Sequence, residues 1–425
     1  MRASNQGFMP PAASTKALDW QALAELTVPE ADRINGPTNA QATLRLFGQS
    51  EKALRVTLYR DHHAWCPYCQ KVWLWLEWKQ IPYRIRKVTM RCYGEKEAWF
   101  KKKVPSGMLP ALELDGRLIM ESDQILLALE HAFGPLGHQL EEPRTLKLRD
   151  LERQLFGAWC RWLCTARLNQ RQEQACREQF QIKARMMEHQ LSAEQGPWLD
   201  PASNTPTSPC PGSADVVFIP YVERMNASLA YYKGFSLREE HPAIHKWFKA
   251  LEELEVYRGT QGDFHTHAHD LPPQMGGCWV APNPKQQELA EAIDCGEGLA
   301  ELETCWADPD NSKTRPEGLA LSRVLKHHQR LLELNPLGAI RFDQPLRATL
   351  TRMALGASCS PDPGSARGLR YLRDRISVPR DMPLLSARRL RQALEQTAQL
   401  DSPEMGAPIP ICDRFDQNPK PFLTS

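Results

Sequence analysis

Apolar residues in the first third of the chain change from strand spacing to helix spacing and back. Val56-Thr57-Leu58-Tyr59 is a run of β-forming residues and predicts a short strand. Val72, Trp75 and Leu76 then share one face at helical spacing. Residues 83–88 alternate apolar and polar side chains, which is typical of a second strand. The pattern therefore predicts a strand, a helix and a strand in close succession.

A hairpin and another helix follow. Asp115-Gly116 is flanked by residues 111–114 and 117–120, an arrangement that strongly favours two antiparallel strands joined by a tight turn. Glu121-Ser122-Asp123 then begins a helix with one apolar face, formed by Ile125, Leu126 and Leu129. A connecting segment runs through residues 97–100, and the predicted order is β-α-β-α-β-β-α.

Beyond a turn at residues 134–137 the apolar spacing is helical. Stripes on successive helices are formed by Leu148, Leu151, Leu155, Trp159 and Trp162, by Phe180, Ala184, Met187 and Leu191, and by Phe218, Val222, Met225 and Leu229. We expect Trp159 and Trp162 to belong to a core between two domains. Past residue 258 the chain is rich in Gly, Pro and His, and helix-like blocks at 289–302, 321–334 and 384–400 follow.

Composition and charge narrow the class of protein. The 425 residues are enough for two or three domains, and the 42% hydrophobic and 24% charged content is ordinary for a globular protein. A net charge of +2 gives no field that would attract nucleic acid or an anionic membrane. No stretch predicts a membrane span or a secretory signal, and the 12 scattered cysteines favour a reducing compartment.

Cys66-Pro67-Tyr68-Cys69 carries the most specific chemistry in the sequence. It lies between the first predicted strand and the first predicted helix, and Pro67 suits the first helical position. The sulfur of Cys66 would then lie at a helix N-terminus, where the helix dipole lowers a thiol pKa and favours a nucleophilic thiolate. A zinc site would need a second cysteine pair at suitable spacing, which the chain lacks, and an inert structural pair would not explain Pro67.

A second group with metal-ligand character is His265-Thr266-His267-Ala268-His269. Its setting among glycines and prolines predicts a loop, and alternating imidazoles in a loop can chelate a metal ion. The run has no cysteine partner nearby, so we expect no metal here. Cys160 and Cys164 share a helix face and are predicted to be core thiols.

In combination, four motifs resemble the cysteine-type glutathione transferases. They are Cys66-Pro67-Tyr68-Cys69, which is similar to the glutaredoxin site; Met108-Leu109-Pro110, where the family has a cis proline; Glu121-Ser122, which begins the family's glutathione-binding helix; and Ala214-Asp215, the end of its capping box. The chain departs from the pattern at Gly212, where Ser or Thr is usual. Because Gly is a tolerable N-cap, we expect a small loss of stability there.

The iota class of photosynthetic organisms shares further segments with this chain. They are residues 36–42, residues 59–65 and the extension motif at residues 369–382. The resemblance implies an α/β plus all-α protein: a leader at 1–54, a thioredoxin-like glutathione-binding domain at 55–137, a helical glutathione transferase C-terminal domain at 138–260, and a helical extension of unknown role at 261–425.

The resemblance also implies the roles of individual site residues. Cys66 would be the nucleophile, and Cys69 would either resolve a mixed disulfide or remain a spectator thiol. Glutathione binding is assigned to Tyr68, Lys96, Leu109, Pro110, Glu121 and Ser122. Leu109 would pair with the cysteinyl part, Glu121 and Ser122 would hold the γ-glutamyl group, and Lys96 would reach the glycyl carboxylate. Tyr68, Trp65 and His63 are expected to border the second-substrate site.

The function implied is a glutathione-dependent thiol transferase or reductase, acting on glutathionylated proteins, small disulfides or dehydroascorbate. Glutathione is the expected co-substrate, with no metal and no nucleic acid, and the family also allows a homodimer. A cytoplasmic or plastid-stromal location follows from the same resemblance. The alternative is a non-catalytic ligand-binding or partner-docking protein on the same fold.

Overall fold

A computed structural model describes residues 16–194, 196–202, 210–296 and 316–403. Within these ranges the chain forms two compact units. The smaller unit contains residues 16–29, 316–375 and 389–403, and the larger contains residues 30–296 and 376–388. The domain limits inferred from the sequence stay a prediction.

The larger unit contains a five-stranded mixed sheet. Its strands are β1 (Leu44–Arg45), β2 (Val56–Asp61), β3 (Tyr83–Val88), β4 (Ala111–Leu114) and β5 (Arg117–Met120), in the spatial order β1-β3-β2-β4-β5. Strands β2 and β3 are parallel, and the other neighbours are antiparallel. Asp115 and Gly116 both have positive φ, as a tight hairpin turn between β4 and β5 requires.

Three helices pack with this sheet. They are α2 (Pro67–Trp78), α3 (Ala98–Lys103) and α4 (Ser122–Phe133). The β2-α2-β3 succession is the parallel crossover that the alternating apolar spacings predicted. The helix predicted between the second strand and the hairpin is α3, which begins within the connecting segment 97–100 and whose Phe100 is fully buried.

Helices make up most of the rest of the larger unit. They are α5 (Pro143–Cys164), α6 (Gln170–Ala193), α7 (Ser213–Lys233), α8 (Leu237–Glu240), α9 (Pro242–Glu252), α10 (Glu255–Thr260), α11 (Phe264–Met275) and α12 (Pro284–Asp294), with a small β6–β7 ladder (Pro201–Ala202, Cys210–Pro211). Helix α7 is buried around its whole circumference because α2, α5, α11 and α12 all contact it. Trp159 and Trp162 lie in the core, and that this core lies between two domains stays a prediction.

The start of α7 explains the unusual glycine. A Cβ at Gly212 would lie 1.9 Å from the carbonyl oxygen of Asp200, so any other residue would clash with the backbone. The buried Asp215 takes over the capping role: it accepts hydrogen bonds from the backbone N–H groups of Leu199, Asp200 and Gly212 and from the indole of Trp247. Burial nevertheless raises the pKa of Asp215 to about 6.

The histidine run lies on a helix and not on the loop that the sequence predicted. It occupies the first turns of α11, which begins after the N-cap Asp263 and contains Pro272 and Pro273 near its end. A proline removes the N–H that would bond the carbonyl four residues earlier. The carbonyl of Ala268 is instead satisfied by the hydroxyl of Tyr232, at 2.7 Å, so the helix tolerates Pro272.

The smaller unit joins the N-terminal leader to the extension. Its helices are α1 (Trp20–Glu25), α13 (Pro316–Leu334), α14 (Ala339–Leu355), α15 (Ala366–Arg373) and the part of α16 (Leu384–Asp401) from residue 389 onward. The indole of Trp20 donates to Asp343 at 2.7 Å, and the N–H of Val28 donates to Ser322 at 3.0 Å. None of the helices among the described residues is long and apolar enough to cross a membrane.

Candidate functional site

Cys66 lies where strand β2 gives way to helix α2. It is the N-cap residue of α2, and Pro67 occupies the first helical position without losing a hydrogen bond. The Cys66 sulfur is 4.0 Å from the carbonyl oxygen of Leu109. Cys66 therefore lies at the positive end of the helix dipole, beside the free N–H groups of the first turn, although its side chain accepts no capping hydrogen bond from them.

Cys69 lies one turn further along α2 and is chemically different. Its side chain is 1% exposed, against 7% for Cys66. Burial raises the pKa of the Cys69 thiol well above its ordinary value, and the neighbouring Cys66 and the charge of Asp61 raise it further. Cys69 is therefore held as a thiol.

Asp61 is a part of the site that the sequence analysis missed. It is the last residue of β2, is fully buried, and accepts a hydrogen bond from the N–H of Trp65 at 2.7 Å. One of its carboxylate oxygens and the sulfurs of Cys66 and Cys69 all lie within 4.8 Å of one another. The sequence did contain a signal for Asp61, because it is a charged residue at the end of a buried strand and just before a turn.

The segment before β4 faces the cysteines. The Leu109-Pro110 peptide bond is cis, and Pro110 is buried and immediately precedes β4. Leu109 packs against the small apolar cluster around Tyr59 and Phe100. The polar backbone of Leu109 thus lies beside Cys66.

Glu121 and Ser122 form the junction between β5 and α4. Glu121 has a φ of +65°, a conformation that non-glycine residues adopt only where the surroundings enforce it, and such residues often mark functional sites. Ser122 is the first residue of α4 and is buried. The free N–H groups of this helix start can bind a carboxylate.

Lys96 lies in the segment before α3. Burial lowers the pKa of its ammonium group, and nearby acidic groups, the Cys69 and Cys66 thiols and Asp61 among them, partly offset that effect. Its ammonium also lies 5.7 Å from the centre of the Phe100 ring.

The aromatic residues around the cysteines separate into an exposed and a buried set. Tyr68 is 39% exposed, and its ring stands edge-on to that of Tyr221 at 5.7 Å. Trp65 and His63, which the sequence analysis expected beside Tyr68 at a second-substrate site, are buried and stack with Tyr93. Tyr68 is thus the one of the three that a ligand can contact directly.

A buried arginine of α7 supports the loop between β2 and α2 (residues 62–66, the cysteine loop). The guanidinium of Arg224 donates to the carbonyl of Trp65 and to the side chain of Gln70, both at 2.7 Å. Glu223, its neighbour, accepts from the backbone N–H of Gly262 at 2.8 Å. No local pattern marked Arg224, because its role depends on contacts 154 and 159 residues away in sequence.

Residues 376–388 of the extension also contact the cysteine loop between β2 and α2, at Trp65. The guanidinium of Arg380 lies 5.7 Å from the ring centre of Trp65. The backbone carbonyl of Arg380 accepts a hydrogen bond from the side-chain amide of Gln41 at 3.1 Å. The N–H of Val378 donates to the hydroxyl of Thr266 at 3.0 Å. The part of the motif from residue 376 to 382, which had no assigned role, therefore supplies part of the support of this loop.

Comparison with known proteins adds the family context. Residues 65–132 match the family model described as "Glutathione S-transferase, N-terminal domain". This stretch contains Cys66, Cys69, Lys96, Leu109 and Glu121, together with the other predicted site residues. The match and the strand order confirm the predicted fold class, a thioredoxin-like domain followed by a helical domain.

Relatives extend the likeness over about half of the chain. "Glutathione S-transferase DHAR2" of Arabidopsis thaliana is 26% identical over 196 residues, which is 46% of this chain and 84% of that protein. "Probable glutathione S-transferase DHAR1, cytosolic" of Oryza sativa subsp. japonica is 25% identical, again over 46% of this chain and 84% of the relative. A dehydroascorbate reductase structure from Chlamydomonas reinhardtii is 20% identical with a TM-score of 0.39, over 57% of this chain and 96% of that one.

Proposed function

We propose that this chain is a glutathione-dependent thiol transferase or reductase with Cys66 as its nucleophile. The observation that carries the proposal is the place of Cys66 at the N-terminus of α2, opposite the carbonyl of Leu109. Matched relatives are named as glutathione transferases of the DHAR type, which supports glutathione as the co-substrate.

The proposed reaction has two exchange steps. The Cys66 thiolate attacks the glutathionyl sulfur of a mixed disulfide, and the substrate's sulfur leaves as a thiolate that takes up a proton. A second glutathione thiolate then attacks the glutathionyl sulfur held on Cys66. Oxidised glutathione leaves, and Cys66 is regenerated as a thiolate.

Glutathione would bind along the surface formed by the segments described above. The backbone of Leu109, before Pro110, pairs with its cysteinyl part. Glu121 takes the α-ammonium group, and Ser122 with the α4 N-terminus takes the carboxylate of the γ-glutamyl end. Lys96 takes the glycyl carboxylate, and Tyr68 closes the side toward α7.

The environment of Cys69 favours a route that uses a single cysteine. Cys69 is buried and held as a thiol, so it attacks a disulfide on Cys66 slowly, whereas free glutathione can reach the more accessible sulfur. Conjugation of glutathione to electrophiles should be weak, because Cys66 captures glutathione covalently and no activating hydroxyl is assigned.

The substrates in this proposal are glutathionylated proteins, small disulfides and dehydroascorbate. The location proposed is the cytoplasm or, in a eukaryote, the plastid stroma; the relatives include one named as cytosolic and one named as chloroplastic. A homodimer belongs to the same proposal.

The test compares three serine variants on a glutathionylated peptide. Cys66→Ser should abolish turnover, Cys69→Ser should keep a substantial fraction, and Cys210→Ser, which changes an exposed cysteine, is the matched control. After treatment with oxidised glutathione, mass spectrometry should find the adduct on Cys66.

Three results would contradict the proposal or its single-cysteine route. An adduct found only on other cysteines would remove Cys66 from its role. Equal loss in Cys66→Ser and Cys69→Ser would make the dithiol route obligatory. A Cys66→Ser chain that keeps its biological role would favour the binding-protein alternative.

A further inference from the structure

The histidine run divides into two sets because it is helical. His265 and His269 are four residues apart on α11 and therefore lie on one face. His267 lies between them and points elsewhere: its Nε2 is 2.6 Å from a carboxylate oxygen of the buried Glu223. A loop would not have sorted the three imidazoles in this way.

An acidic residue of the next helix completes a cluster with the first set. Asp294 is the last residue of α12, and its Oδ1 lies 2.7 Å from Nε2 of His269. One nitrogen of His265, one of His269 and one oxygen of Asp294 all lie within 4.8 Å of one another. All three residues are buried, with at most 7% of each residue exposed.

A tyrosine of α7 holds this cluster in place. The hydroxyl of Tyr231 donates to Oδ2 of Asp294 at 3.0 Å, and the Tyr231 ring stands edge-on to His269 at 5.1 Å. The His265 and His269 rings are 4.6 Å apart. A carboxylate oriented by a second hydrogen bond is the arrangement that accompanies metal ligands in proteins.

The histidine run by itself gave no reason to expect a metal, because Asp294 lies on another helix; with Asp294 in place, we propose that His265, His269 and Asp294 bind a divalent transition-metal ion of the zinc type. Two imidazoles and one carboxylate are a donor set that such ions prefer, and the closely spaced buried atoms need little rearrangement to surround one. The ion would replace the hydrogen between His269 and Asp294 and join helices α11 and α12. This role is structural, and it is separate from the Asp61, Cys66 and Cys69 group.

The alternative is a buried His–Asp hydrogen bond with no metal. That arrangement satisfies Nε2 of His269 and both oxygens of Asp294, and it needs no ion. The two states differ in a measurable way, because only the first binds one equivalent of metal through nitrogen and oxygen ligands.

The experiment is a titration of the chelator-treated full-length protein with Co²⁺ and Zn²⁺. Wild type should bind one equivalent of Co²⁺ with a ligand-field spectrum that lacks the thiolate charge-transfer band, and Zn²⁺ should displace it. Bound metal should also raise the melting temperature. The readout is metal binding and not turnover, so its failure is distinguishable from failure of the proposed function.

Conservative variants separate the site from the background. His265→Gln and Asp294→Asn should each lose at least about tenfold in affinity, and Tyr231→Phe should lose about tenfold while keeping the ligands. His267→Gln, from the same run, and His189→Gln, on the exposed side of α6, should bind as wild type does. Far-ultraviolet circular dichroism identifies any variant that fails to fold, and Tyr231→Phe is the mildest change.

Three outcomes would overturn the proposal. One is the absence of any stoichiometric binding by folded wild type. Another is equal affinity in His265→Gln, Asp294→Asn and wild type. The third is a Co²⁺ spectrum with a thiolate band that disappears in Cys66→Ser, which would place the metal on the redox cysteines.

Discussion

The two cysteines of one motif have different chemistry because of what surrounds each sulfur. Cys66 lies at the open end of a helix, and Cys69 lies one turn deeper above a buried carboxylate. The negative charge of Asp61 disfavours a second negative charge on Cys69. Cys66, the proposed nucleophile, is therefore paired with a thiol whose raised pKa favours its protonated form.

The Asp61→Asn substitution tests this electrostatic effect. Asparagine can still accept from the N–H of Trp65 but carries no charge, so the pKa of Cys69 should fall. We expect iodoacetamide to modify Cys69 at lower pH in Cys66→Ser/Asp61→Asn than in Cys66→Ser alone. An unchanged or higher pH for modification would show that the Asp61 charge does not raise the Cys69 pKa.

His62 gives a prediction for the pH dependence of stability. Burial lowers the pKa of His62 to about 4, and its Nε2 lies 3.7 Å from a carboxylate oxygen of Glu97. A histidine in the unfolded chain has a pKa of about 6.5. Between pH ~6.5 and pH ~4, therefore, His62 binds more protons in the unfolded chain than in the folded one. Stability from His62 is therefore present above pH ~6.5 and is lost as the pH falls toward ~4.

The His62→Gln substitution isolates that contribution. We expect wild type to lose more stability than His62→Gln between pH 7 and pH 4, by on the order of 3 kcal/mol at most. Melting temperatures at both pH values, with His131→Gln as the control, measure the difference. Groups such as Asp215 titrate in both proteins and cancel. Equal losses in the two proteins would show that His62 titrates normally.

At the scale of elements, the junction before α7 shows a general capping rule being overruled by packing. Serine is a better N-cap than glycine on local grounds. At position 212, however, a Cβ would lie 1.9 Å from the Asp200 carbonyl oxygen. The sequence predicted a small loss of stability from Gly212, whereas the structure shows that no larger residue fits.

Gly212→Ser should therefore destabilise the protein instead of improving the cap. We expect a loss of at least about 2 kcal/mol, because the backbone of Asp200 cannot yield without breaking its hydrogen bond to Asp215. Gly157→Ala is the matched control: it lies within α5 with nothing near its Cβ and should be neutral or stabilising by up to about 1 kcal/mol. Urea unfolding measures the free energy of unfolding of both variants. A Gly212→Ser protein that is more stable than wild type would show that the predicted clash does not occur.

Local patterns predicted the elements that depend on neighbours in sequence. The strands 56–61 and 83–88, the Asp115-Gly116 turn and the start of α4 follow from spacing and turn chemistry. The helix α11 was missed because Pro272 and Pro273 are typical of a loop, whereas Pro272 is tolerated here through the hydroxyl of the distant Tyr232. The closeness of Cys66 to Leu109 came from the family resemblance, since 43 residues separate them.

At the scale of the whole molecule, periodicity cannot say which segments pack together. Trp20 of the leader and Asp343 of the extension are 323 residues apart in sequence, yet the indole of Trp20 donates to Asp343 and its ring lies 4.7 Å from His328. The guanidinium of Arg370 and that of Arg373 meet the carboxylate of Glu395 within the same unit. No local sequence pattern around these residues indicated which partner each would contact.

Trp20→Ala tests whether the leader is an integral part of the smaller unit. The change removes a ring and a hydrogen bond that join α1 to α13 and α14, so amides in those two helices should open more often. Hydrogen–deuterium exchange should become faster in peptides from residues 318–355, and strands β2 and β3 should exchange as before. Trp279→Ala, at a partly exposed tryptophan of the larger unit, is the control and should leave residues 318–355 unchanged. Unaltered exchange in α13 and α14 would mean that the leader contributes nothing to their stability, and the extension would then have to be held by its own contacts alone.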